Sequence, residues 1–149
     1  MVAGTFAFMH PQPLLADRSP KLRFIIAVVV PAVFGAITGI ALGYSEVLYI
    51  ILSVLGILGG IGAGYDHDGA REGAIRGVLG GLLFGGFILI AHEISGRDAE
   101  AHLPEPAIVL VIVTTVLGAL FGAIGGALRA RHEHKPQANA AEGTAPPEP

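Results

Sequence analysis

Cysteine is absent from this chain, and its absence excludes disulfides, thiolate metal ligands and thiol nucleophiles. Charge is scarce as well. Asp, Glu, Lys and Arg make up 14% of the 149 residues, where soluble domains average about 25%. The net charge of −3 is too small to attract a nucleic acid or an acidic partner electrostatically. No acidic, basic or histidine side chain stands near the middle of any long apolar run, although proton-coupled carriers and voltage sensors normally keep one there. Missing too are the phosphate-cradling GxxxxGKS/T, the G-x-S-x-G elbow and paired carboxylates with a reaction to share. The chain reads as non-enzymatic, with no cofactor and no nucleic-acid partner.

What the sequence has in quantity is apolar residues, 52%, and glycine, 22 in number. The glycines fall at every fourth position within four apolar segments: Gly35, Gly39, Gly43; Gly56, Gly60, Gly64; Gly69, Gly73, Gly77, Gly81, Gly85; and Gly118, Gly122, Gly126. In water each helical glycine costs about 1 kcal/mol against alanine, so such runs should melt. In lipid an unpaired backbone amide costs several kcal/mol, and the helix must hold. Glycine then becomes useful, because two backbones without side chains approach closely and gain dispersion contacts. The expected fold is an all-α integral membrane protein, four transmembrane helices in a compact glycine-zipper bundle. Three ladders share the form V-(F/L)-G-xxx-G-xxx-G, at Val33, Val54 and Val116. Duplication of a helix pair and biased composition both account for that likeness.

The transmembrane domain is expected over residues 21–130, with helices near 22–43, 46–65, 69–94 and 105–130. Residues 1–20 read as a disordered or interfacial tail, and 131–149, rich in Pro and Ala, as a disordered one. Pro31 should bend the first helix. A secretory signal with cleavage at Ala41-Leu42-Gly43 is a weaker reading, since the run exceeds a typical signal core and carries the same glycine spacing as the later segments. Ser45 suits the N-cap of the second helix and Asp68 that of the third. Glu72 stands four residues before Arg76, the favourable order for an ion pair. The third apolar run, 77–91, is short for a span, so Arg76 and His92 are expected to snorkel outward at its two ends. Gly96 should stop that helix, and Pro106 should lie in the first turn of the fourth.

Eight basic residues (Arg18, Lys21, Arg23, Arg71, Arg76, Arg129, Arg131, Lys135) fall on one side of four spans, and Arg97 alone on the other. The positive-inside rule then gives a multi-pass protein of the cell membrane with both termini cytoplasmic. Successive i+4 positions drift about 40° around a straight helix. Gly69 to Gly85 therefore should not all face one parallel neighbour, and the third helix is expected to meet different helices at its two ends.

Chemistry-bearing residues are few. Asp66, His67, Asp68 and Glu72 echo a calcium loop, but Gly64 and Ile75 hold the positions where the pattern needs its first and twelfth ligands; a solvated, capping loop explains them better. His92, Glu93 and His102 are weak metal candidates on the opposite side, and HExxH would need a histidine where Gly96 stands. The hydroxyls of Thr38, Ser53, Thr114 and Thr115 are expected to bond back to their own helices. The role that fits is structural or interactive, packing through GxxxG ladders within the bundle or with a partner: the lipid bilayer itself, a homo-oligomer or another membrane subunit. The alternative is an oligomeric passive channel or carrier for a small solute or ion, since a pore lined by backbone needs no buried charge.

Overall fold

A computed structural model describes residues 17–142. Expectations for 1–16 and 143–149 lie outside the described residues. All regular structure among those described is helical: α1 (Pro20–Leu42), α2 (Glu46–Tyr65), α3 (Ala70–Ser95) and α4 (Ile108–Glu142). Each of the four is long and apolar enough to cross a membrane. The chain is thus compatible with a small multi-pass membrane protein.

The helix ends follow local chemistry. Ser19 opens α1, its Oγ accepting from Leu22 N–H at 3.4 Å, with Pro20 in the first turn. Ser45 caps α2 through Leu48 N–H at 3.3 Å, and Gly96 closes α3 in the left-handed conformation at φ 62°. Asp68 does not cap α3. The N-cap is Gly69 at φ 92° and ψ 169°, a backbone region that only glycine occupies readily. Pro106, joined to Glu105 by a cis peptide bond, precedes α4 and does not open it; its carbonyl accepts from Val109 N–H at 2.9 Å.

At its far end α4 continues through 131–142, where a disordered tail was expected from residue 131. Adding residues to an existing helix requires no new nucleus, and alanine propagates it best.

The helices run alternately up and down, with α3 at the centre. Its closest partner is α4, antiparallel to it; α1 lies on its other side, and α2 rests mainly on α4. The apolar core fills the half of the bundle nearest the α1–α2 turn, where Leu42, Phe84, Ile88 and Ala101 are buried together and Phe34 and Tyr49 pack against them. Phe34 and Phe84 stack with centroids 5.9 Å apart. The α3–α4 loop folds back over this end: Glu100 N–H donates to the Leu42 carbonyl at 2.9 Å, and the Arg97 guanidinium lies 3.9 Å from the centroid of the Tyr44 ring. Opposite is the end where Lys21, Arg23, Arg71 and Arg129 gather, referred to below as the basic end. There the interior is less filled.

Candidate functional site

Most of the predicted glycine positions sit against neighbouring backbone. A side chain added at Gly73 would meet the carbonyl of Gly122, and one at Gly77 that of Gly118; the reverse holds for Gly122 and Gly118. Gly69 lies opposite Gly126, Gly81 against the carbonyl of Thr114, and Gly85 against the Thr114 hydroxyl and Val111 Cα. Gly73, Gly77, Gly81 and Gly85 of α3 therefore all face α4, contrary to the expectation that the row would divide between two helices, while a Cβ at Gly69, the N-cap, would meet nothing within 4 Å. The 40° drift is real, but α4 carries its own four-residue row, and two such rows drift together as interdigitating i±4 ridges. At Gly73, Gly77, Gly81, Gly118, Gly122 and Gly126 the glycine hydrogen that replaces Cβ points at a carbonyl oxygen. Such Cα–H···O contacts contribute about 0.5–1 kcal/mol each.

The other ladders are used differently. Gly35 and Gly39 of α1 press on the Phe84 and Ile88 carbonyls of α3, so the smooth face of α1 receives α3 and not the bulky half of α2. Gly43 is covered by the Arg97 side chain, and Gly56 meets the Phe84 ring. Gly64 touches the Gly122 backbone, whereas a Cβ at Gly60 would lie 3.6 Å from Phe121 Cβ, an ordinary contact. Gly125, which the four-residue spacing passes over, packs against Ile61 and Gly64. These differences carry a test. Gly60→Ala should hold or raise the thermal midpoint in detergent, by up to about 1 kcal/mol of helix propensity. Gly64→Ala should lower it by about 1–3 kcal/mol through overpacking.

Arg76 departs furthest from expectation. It neither snorkels outward nor pairs with Glu72, which stays exposed; it turns into the bundle and is only 8% exposed. The reason lies in α1. Residues Ile25–Val29 form a π-helical turn, in which Val30 N–H bonds to the Ile25 carbonyl. In that register the donor for the Ile26 carbonyl would be residue 31, and Pro31 has no N–H. The Ile26 carbonyl is thereby released from its own helix, and Arg76 Nη2–H donates to it at 2.8 Å. A proline-induced fault in one helix is closed by a cation from another. The bend expected at Pro31 takes the form of this π turn, a feature frequently found at functional sites.

Beside Arg76 is a cavity of ≈ 420 Å³ lined by all four helices, within the range of small-ligand sites. Its walls run parallel to the bundle: Ile26, Val30 and Phe34 on α1, Arg76, Gly80 and Phe84 on α3. Leu55, Gly59 and Gly62 of α2 and Val30 of α1 are exposed as well as lining, so it opens sideways between α1 and α2. Asp66 stands at the basic end, its Oδ2 3.8 Å from Arg18 Nη2. At the deep end Thr114 donates to the Val111 carbonyl at 3.0 Å. Thr38 and Thr115 likewise bond back to their own helices. The cavity has one buried cation, one carboxylate already paired with another arginine, and otherwise apolar walls.

The remaining candidates are not drawn together. His67 Nδ1 lies 3.1 Å from the Ala63 carbonyl and serves the end of α2. His92 and Glu93 are on the last turns of α3, and His102 is exposed in the following loop. Among the described residues no three His, Asp or Glu side chains converge as a metal site would require. Arg76 was legible in sequence as a cation near a span, and the nearby Pro31 as a missing donor. Neither alone points to their pairing. Compared with protein-family models, curated proteins and solved structures, the chain finds no match.

Proposed function

We propose that this chain is a multi-pass protein of the cell membrane, both termini cytoplasmic, with a structural or interaction role and no catalysis. On this reading a glycine zipper holds α3 to α4 and to α1, and the partner is a second copy or another membrane subunit. The observation that supports it is the contrast between α2 and the rest. Only 6% of the span of α2 is buried, against 33% for α1 and α3. Val47, Ile50, Ile51, Val54 and Leu58 all lie exposed along α2. The span of α4 is intermediate at 22%, so α2 is the helix packed least inside the chain and, on this reading, the surface for another.

Because the chain has no cysteine, single cysteines report neighbours without background. Val54→Cys on α2 should crosslink in membranes to a second copy or to a defined subunit, while Ile112→Cys, exposed on α4, should not. A monomeric mass in mild detergent, together with no crosslink from any α2 position, would remove the reading.

A further inference from the structure

Three properties of the cavity beside Arg76 select a ligand. The first is charge. The Arg76 guanidinium uses one donor on the Ile26 carbonyl, and its Nε is buried without a hydrogen-bond partner. A guanidinium carries five donors, and a cation in an apolar interior is normally paired. The neighbouring carboxylate, Asp66, attracts Arg76 and is also 3.8 Å from Arg18, so two cations share one carboxylate and the side of the cavity at Arg76 favours an anion.

The second property is depth. Arg76 is the seventh residue of α3, which begins at Ala70, so it lies about 9 Å along the helix at 1.5 Å per residue. That is the level of the headgroup boundary for a spanning helix. From Arg76 to Phe84 the wall descends about 12 Å further by the same rise, past Val30 and Phe34 to Thr114. Polar at the interface and apolar below, the cavity has the polarity of a lipid.

The third property is access. Gly59 and Gly62 border the cavity, are exposed, and have no atom within 4 Å of an added Cβ. A chain can enter sideways between α1 and α2 without passing through the aqueous phase.

We propose that this cavity binds one anionic phospholipid, its phosphate on Arg76 and an acyl chain along Phe34 and Phe84. The site rests on the spans lying in a bilayer and is independent of any protein partner at α2.

The test is native mass spectrometry of the full chain, released from mixed micelles of equimolar phosphatidylglycerol and phosphatidylcholine. Wild type should retain one phosphatidylglycerol in preference to phosphatidylcholine. Gly59→Leu, which places an apolar side chain at the cavity wall where a Cβ meets no protein atom within 4 Å, should reduce that retention about tenfold, as should Arg76→Gln; tenfold corresponds to about 1.4 kcal/mol. Millimolar inorganic phosphate should leave the lipid in place, because the acyl chain holds it. Equal retention of both lipids by wild type, unchanged retention in a monodisperse Gly59→Leu, or displacement by inorganic phosphate alone would each overturn the site. Should Arg76→Gln fail to fold, Gly59→Leu decides.

Discussion

Gly77→Leu should break the bundle apart, lowering its stability by about 3 kcal/mol or more, at the upper end of what overpacking costs. The obstacle is backbone. A Cβ at Gly77 meets the Gly118 carbonyl and the Cα of Ala119, and no rotamer change on α4 can clear a main-chain oxygen. Relief requires α3 and α4 to move apart, which would also separate the pairs at Gly73 and Gly81. Leu82→Ala, in contrast, trims a side chain that is 50% exposed and should cost less than about 1 kcal/mol. The check is the SDS concentration at which the detergent-solubilised protein unfolds, together with the shape of its size-exclusion peak. Equal tolerance of both changes would show that the α3–α4 contact does not hold the fold.

Arg76→Met should cost about 2–4 kcal/mol, and Pro31→Ala should recover part of that loss. Removing the guanidinium strands the Ile26 carbonyl, and an unpaired group away from water is penalised by its full desolvation. Alanine at position 31 restores the N–H that the π turn lacks, so the carbonyl regains a donor from its own helix. In the wild-type background Pro31→Ala should change little, because Arg76 already satisfies that oxygen. A double-mutant cycle measures the coupling directly. About 1–2 kcal/mol of rescue is expected, a typical interaction energy for residues sharing one network. Strict additivity would mean that Arg76 and Pro31 act on different groups.

Much of the architecture was readable from residues alone, and the misses share a cause. The four spans, the cap at Ser45, the stop at Gly96 and the back-bonded threonines all depend on interactions within a few residues. Asp68 was misread because its neighbour Gly69 adopts a conformation suited to contact with Gly126, on a different helix. Arg76 was assigned to solvent because its most visible partner in sequence, Glu72, is local. Its actual partner, Ile26, lies 50 residues away. The glycine face of α1 likewise receives α3 at Gly35 and Gly39, and not α2, the next helix along the chain.

By itself the sequence determined the number of long helices and that each is apolar enough to cross a membrane, since length and apolar character within one segment suffice to say whether it can span. It also determined which positions are small enough for backbones to meet. Only the tertiary structure decided which row meets which, that Gly73, Gly77, Gly81 and Gly85 of α3 all go to α4, and that a cation from α3 closes the fault at Pro31. Those outcomes depend on the relative rotation and height of whole helices. A repeat of four residues permits several registers, and the contacts that choose among them exist only once the helices are side by side.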